Sequence, residues 1–327
     1  MQIETNISKI IITGASGFIG TNLLEKFVNS GHSVINIDIA DPKNKKHYIY
    51  HRNIDITNIY ELRKCIVDFD PDYIVHLAAR TDLKGKSLVD YAANTVGVKN
   101  IIDLSKDLKN LKKIIITSSM LVCGVGFKPN NMLDYHPTTM YGKSKVITEN
   151  IVMNDKPNCD WAIIRPTSIW GEWFGIPYKN FFDMIIAKRY FHIGNKLCKK
   201  TYGYIGNAIY QIENILFSDT SKRENKIFYV GDDPPNDIKE WANEIASFLK
   251  QKIVTVPYYI IYIIAIFGDL LGIFGLSFPM TTFRLKNMTT ENIIDLSETY
   301  AIAPDRPYSR MQGIERTLEW IKFNNKL

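Results

Sequence analysis

Tyr141 and Lys145 stand four positions apart in the run Tyr141-Gly142-Lys143-Ser144-Lys145. On a helix, positions i and i+4 share a face, so a phenol and an ammonium at this spacing converge on one cavity. A phenol titrates near ~10 and becomes a useful base at neutral pH only where nearby positive charge favours its anion. Twenty-two residues before Tyr141, the apolar run of Leu111 to Gly124 sets Thr117, Ser118 and Ser119 at a strand end. Alone, Tyr-x-x-x-Lys is a common accident, and its meaning depends on the rest of the chain.

A second constellation supplies that context. Ile10, Ile11 and Ile12 precede Gly14, Gly17 and Gly20, and the helical pattern Leu23, Leu24, Phe27, Val28 follows. Such a strand, glycine turn and helix let backbone amides approach an anion on the positive end of the helix with no side chain between. A second apolar run, Ser33 to Ile39, carries Asp38 eighteen residues after Gly20. A carboxylate there can accept hydrogen bonds from adenosine ribose hydroxyls, completing a dinucleotide-binding unit.

The elements that must position these groups alternate between strand and helix, which predicts an α/β fold, a Rossmann-type doubly wound parallel sheet. Expected strands lie at Tyr48–Asn53, at Asp72–Ala79, after Leu111, in the run DWAIIRP that ends at Pro166, and at Ile227–Val230. Ala78 and Ala79 at a central strand end would let a cofactor lie across the sheet, while His76 reads as a packed core residue. Helices are expected at Tyr91–Leu104, Asp237–Leu249 and Gln312–Phe323. Residues 1–171, with 201–231 returning, form the expected dinucleotide domain; 172–200 and 232–327 form a smaller, mostly helical substrate lobe. After Glu172, aromatic residues from Trp173 to Phe191 interleave with Lys179, Lys188, Arg189 and Lys196, a texture suited either to stacking a base or sugar beside a diphosphate or to an ordinary amphipathic helix. Pro257 to Pro279 is the most apolar stretch, but Asp269 and three glycines interrupt what would need ~20 apolar residues to span a bilayer. It reads first as a buried helix between lobes and second as a peripheral membrane contact.

With 327 residues, 46% hydrophobic and 23% charged, the chain can bury a large core. The net charge of +6 comes with lysine clusters at 43/45/46, 109/112/113 and 196/199/200, without an aromatic-interleaved stripe, which argues against nucleic acid. The last cluster is compatible with an anionic substrate. Cys65, Cys123, Cys159 and Cys198 form no Cys-x-x-Cys pair, and the histidines are scattered, so a reducing compartment and no metal are expected. No basic-then-apolar leader precedes the first strand, and a cytoplasmic protein is expected.

Gly14-x-x-Gly17-x-x-Gly20, the Ser118-Ser119 strand end, Tyr141/Lys145 and Arg165-Pro166 closed by Gly171 together resemble the extended short-chain dehydrogenase/reductase superfamily. Within it, the chain is most similar to the NAD-dependent epimerase/dehydratase family of nucleotide-sugar epimerases and 4-ketoreductases. The resemblance implies Tyr141 as acid/base, Lys145 as the residue that lowers its pKa and holds the nicotinamide ribose, and Ser119 as the partner of the reacting oxygen. It implies cofactor contacts from Gly14, Ser16, Gly17, Phe18, Ile19, Gly20, Asp38, Asp55, Ile56, Leu77, Ala78, Ala79, Asn94, Ser118, Tyr141, Lys145 and Pro166. Asp55 also reads as a helix cap, and Asn94 as a tie between helix and strand. Asp38 favours NAD, since the 2′-phosphate of NADP would face a like charge, while Lys43, Lys45 and Lys46 keep NADP as the alternative.

The expected partner is a nucleotide-diphosphate sugar, and family members often dimerise through helices equivalent to 91–104 and 141–152. Met120 follows Ser119, and residues 118–125 hold no carboxylate, which disfavours dehydration and decarboxylation. A 4-epimerase working through a 4-keto intermediate, in surface-polysaccharide sugar biosynthesis, is the leading expectation. A 4-ketoreductase, a sterol- or flavonoid-type dehydrogenase and a dinucleotide sensor are the alternatives. Cys123-Gly124 replaces a frequent Tyr-Gly, and Asn207 a frequent Asp, so the sugar cannot be borrowed from the galactose epimerases.

Overall fold

Strands buried on both faces of a parallel sheet read as unbroken β-branched runs, and Lys9–Thr13 (β1), sequence KIIIT, is one. The computed structural model describes residues 7–276 and 278–324. After β1 come helix α1 (Phe18–Asn29), β2 (Ser33–Asp38), β3 (His51–Asn53), α2 (Ile59–Phe69) and β4 (Tyr73–His76). Then follow α3 (Val98–Ser105), β5 (Lys113–Thr117), α4 (Met140–Asp155), β6 (Asp160–Pro166) and β7 (Ser168–Trp170). Short pieces alternate next: α5 (Tyr178–Ile186), β8 (His192–Ile193), β9 (Lys199–Lys200), β10 (Tyr202–Tyr204), α6 (Ile205–Phe217) and β11 (Ile227–Val230). The chain closes with β12 (Asn236–Asp237), α7 (Ile238–Phe248), β13 (Thr255–Val256), α8 (Tyr258–Ile273), α9 (Thr282–Thr289), α10 (Ser297–Tyr300) and α11 (Arg310–Asn324).

Seven strands form one parallel sheet in the order β11-β6-β5-β4-β1-β2-β3, the doubly wound arrangement expected. Side chains of successive strand residues point to opposite faces, and the two cores follow this alternation. Ile10 and Ile12 pack on one face with Leu23, Leu24 and Phe27 of α1, whereas Ile11 packs on the other with Ile66 of α2 and Ile101 of α3. The strand order reverses between β1 and β4, so a crevice opens at their carboxyl ends, where open α/β sheets bind ligands. β11 joins the sheet beside β6, while β7 pairs with β10 outside it.

Two expectations are corrected and one alternative is decided. The helix expected over 91–104 is three pieces: a 3-10 turn at Leu88–Tyr91, a π turn at Ala93–Gly97, and α3. The wide turn coincides with Asn94, whose amide bonds the backbone of Arg80 in both directions. The aromatic texture after Gly171 is largely core: Phe174 and Phe182 pack with Trp170 and Trp241 in centroid contacts of 5.1–5.8 Å. Lastly, α8 is a helix but not a buried one. Among its described side chains only Ile261, Ala265 and Gly268 are buried, because α8 rests on little beyond α9, Phe191 and Val256.

Candidate active site

The glycine turn after β1 is shaped by contacts no other residue could make. Gly14 has φ +77°, and a Cβ there would lie 2.5 Å from the Ala78 amide nitrogen. A Cβ on Gly20 would overlap the Gly14 carbonyl, so the first turn of α1 presses directly on the strand end. Gly17 begins α1 with no side-chain cap, leaving the early amides, including those of Phe18 and Ile19, without helical partners and facing an anion-attracting helix end.

β2 braces this turn from the side. Asp38 accepts from the Ser16 amide at 3.0 Å and from the Ala40 amide at 2.9 Å, which leaves lone pairs on both carboxylate oxygens. Asn36 accepts from the Ala15 amide at 3.1 Å and donates to Ser16 Oγ at 3.1 Å. Sequence reasoning missed Asn36, although a polar residue inside the apolar run Val34-Ile35-Asn36-Ile37 was the visible signal. Lys43, set against NAD selectivity at first, donates to the Trp173 carbonyl at 3.0 Å.

At the end of β4, Leu77 donates to the Thr13 carbonyl at 2.9 Å and Ala78 to Thr13 Oγ1 at 3.3 Å, which places 77–78 against the glycine turn. His76 is buried with Nδ1 2.7 Å from Thr13 Oγ1, and burial together with the Lys145 charge pushes its pKa down to about 3. It is a neutral core histidine. Asp55 is exposed and folds back on Thr57, accepting from its amide and hydroxyl at 2.8 Å each, while Asn58 caps α2. Ile56 is buried against Gly97. Asn94 is fully buried and also donates to Ser144 Oγ at 2.9 Å, tying the end of β4 to α4.

α4 carries the reactive pair. Thr139 caps it by accepting from the Gly142 amide at 3.0 Å, and a Cβ on Gly142 would overlap the Leu121 carbonyl, so its first turn docks on the loop after Ser119. The Ser119 hydroxyl, at the head of the loop on which this first turn docks, accepts from the Leu121 amide at 3.1 Å. Burial raises the Tyr141 pKa to about 12, with Tyr178 and Tyr91 adding and Ser119 opposing. Lys145 donates to the Thr117 carbonyl at 2.8 Å, and burial lowers its pKa to about 7 against the opposing pull of Glu149. Without cofactor, the Lys145 ammonium bonds Thr117 and burial is the largest influence on both groups.

Glu149, a further four residues along α4, was not anticipated. It is fully buried and accepts from Arg165 Nε at 2.8 Å and Nη2 at 2.7 Å, from Tyr135 at 2.9 Å and from Ser118 at 2.5 Å. Arg165 continues to Tyr229 and the Met132 carbonyl at 2.9 and 2.7 Å. The hydroxyl of Ser118, at the carboxyl end of β5, is committed to this buried network. Pro166 lies at the end of β6 opposite Val230. Asn207 pairs with Asp232 at 2.9 Å, and burial raises that carboxyl to about 6. The glycine cradle, the uncapped start of α1 and the Asp38 carboxylate fit a dinucleotide.

The sequence matches the model of the NAD dependent epimerase/dehydratase family over residues 10–208. It is 26% identical over 324 residues to the N-acetyl-alpha-D-glucosaminyl-diphospho-ditrans,octacis-undecaprenol 4-epimerase of Escherichia coli O157:H7, covering 95% of this chain and 94% of that protein. It is 24% identical over 274 residues to a 3-beta-hydroxysteroid dehydrogenase of Mycolicibacterium neoaurum, covering 78% and 74%. Its fold is similar to that of the Bordetella bronchiseptica enzyme WbmG in complex with NAD and UDP, with a TM-score of 0.73, 18% identity and coverage of 99% and 96%.

Proposed function

This chain belongs to the NAD dependent epimerase/dehydratase family, and from that premise we propose that it is a nucleotide-sugar 4-epimerase. The observation that carries the reading is the docking of the first turn of α4, which bears Tyr141, on the loop that Ser119 opens at the carboxyl end of β5, in a sheet whose glycine turn and Asp38 carboxylate fit the dinucleotide. Gly14, Gly17, Gly20 and Asp38 would hold NAD, with Lys145 bonded to the Thr117 carbonyl at the carboxyl end of β5. When bound, NAD supplies a reversible hydride acceptor. Tyr141 takes the proton from the hydroxyl of the reacting carbon and returns it to the same oxygen after inversion. Ser119 fixes that oxygen, and the burial of the site excludes water. The proposed role is in surface-polysaccharide sugar biosynthesis, in a cytoplasmic homodimer joined through 91–104 and 141–152, with residues 172–200 and 232–327 as the substrate lobe.

The UDP in the WbmG structure and the 4-epimerase chemistry of the relative from Escherichia coli support the nucleotide sugar and the reaction. Purified protein should release NAD on denaturation and interconvert a UDP-sugar pair without added cofactor. Stoichiometric consumption of NADH or NADPH would overturn the reading in favour of a 4-ketoreductase.

A second reading, a sugar linked through diphosphate to a lipid, is favoured by the exposed apolar helix α8, and the undecaprenol substrate named for the relative supports it. Turnover of a polyprenyl-diphosphate sugar with none of UDP-sugars would decide for it.

A further inference from the structure

Between Tyr258 and Phe283, thirteen large apolar or aromatic side chains are exposed, among them Ile273 and Phe274 at 78% and Ile263 at 63%. They amount to roughly a thousand Å² of contiguous apolar surface, beyond the few hundred Å² usual for a soluble monomer. Their arrangement identifies what covers them. The buried positions of α8, Ile261, Ala265 and Gly268, make one narrow stripe that packs on α9 and the strands beside it, and the rest of the circumference is apolar and open. A helix apolar all round is buried either in a protein core or in lipid, and the flanking cations and the tyrosines gathered at its amino end favour lipid.

Charge and length agree. From 250 to 290 the cations are Lys250, Lys252, Arg284 and Lys286, and Asp269 is the lone carboxylate. Asp269 is turned inward, accepting from the Thr282 hydroxyl at 2.5 Å and its amide at 3.2 Å, which also locks the turn between α8 and α9. Tyr258, Tyr259 and Tyr262 gather at the amino end of α8, where rings with one polar edge suit the headgroup level. Sixteen residues at ~1.5 Å rise give about 24 Å, short of the ~30 Å hydrocarbon core. Among the described residues no helix is long and apolar enough to cross a membrane.

We propose that the α8–α9 pair docks this protein on the surface of an anionic phospholipid bilayer, with α8 lying in the interface of one leaflet and the four flanking cations at its headgroups. In its use, though not in its evidence, the inference rests on the sugar-epimerase reading. The chain leaving α9 reaches the loop after Ser119: Asn292 accepts from the Gly126 amide at 3.2 Å and exchanges backbone bonds with Lys199 and Thr201 at 3.1 and 2.9 Å. Docking therefore holds the substrate end of the site at the membrane surface.

Flotation of the full-length protein with phosphatidylcholine vesicles containing phosphatidylglycerol, against phosphatidylcholine alone, tests this. The protein should float with the anionic vesicles, less with the neutral ones, and less as salt is raised. The variant Ile263→Glu/Phe267→Glu should float at least ~10-fold less while keeping the wild-type melting temperature and bound NAD, since two buried charges oppose insertion. A second variant, Lys250→Glu/Lys252→Glu, leaves the apolar face intact and should lose only the preference for anionic lipid. Wild-type protein remaining at the bottom of both gradients overturns the proposal. So does an Ile263→Glu/Phe267→Glu variant that floats normally but sediments as a smaller oligomer, which would assign the face to a second copy. Activity on a UDP-sugar is assayed separately, so a protein that floats but turns over no UDP-sugar overturns the nucleotide-sugar reading and leaves the docking standing.

Discussion

At Tyr141 and Lys145, burial drives two groups of opposite charge type toward their neutral forms, the phenol up to about 12 and the ammonium down to about 7. The phenol keeps its proton until positive charge arrives in the site, which ties its basicity to binding. Tyr141→Phe keeps the ring, and therefore the fold, and should reduce turnover by ~10²–10⁴. Steady-state rates, with NAD retention and melting unchanged, check this; undiminished turnover would remove Tyr141 from the chemistry. Lys145 makes a separate prediction about stability. Its folded pKa of about 7 lies below the unfolded 10.5, so between these values the unfolded chain binds the extra proton. Stability of the cofactor-free protein from this group is lowest below pH 7 and rises as pH climbs toward 10.5. Lys145→Met should flatten that rise, as measured by urea unfolding at neutral and alkaline pH. An unchanged slope would assign it to other groups.

Helix α4 joins reaction and scaffold through its i+4 spacing. Tyr141 and Lys145 are buried on one side of it, Lys145 against the end of β5, and Glu149, one turn further, is sealed with Arg165 of β6 and Ser118. Breaking a buried ion pair leaves an uncompensated charge, so Glu149→Ala should cost about 3–5 kcal/mol in urea unfolding, and Glu149→Gln, which still accepts hydrogen bonds, less. A loss below ~1 kcal/mol for Glu149→Ala would mean that water reaches Arg165. The network was not read from the sequence because a glutamate on a helix is ordinarily solvated. Its partner Arg165 stands in an apolar strand, and only the packing of α4 on β6 brings the two together.

For the whole molecule, NAD bound only to the native state should raise the melting temperature, by the equivalent of about 2.7 kcal/mol at a hundredfold excess over Kd. NADP should raise it less, because Asp38 stands at the end of β2 with Lys43 already bonded to Trp173. Equal shifts in differential scanning calorimetry would contradict that selectivity. The sequence by itself determined the sheet, the glycine turn and the placement of Tyr141 and Lys145 one turn apart on a single helix, because these depend on local periodicity and on contacts within one strand-turn-helix unit. Asn36 bracing the turn, Ser118 withdrawn into the Glu149 network and the aromatic residues after Gly171 turned into core were decided by tertiary structure, since each depends on neighbours distant in sequence. The same holds for α8. Its composition is equally that of a core helix, and it stays exposed because, among the described residues, α9 and two short strands cover a single stripe of it.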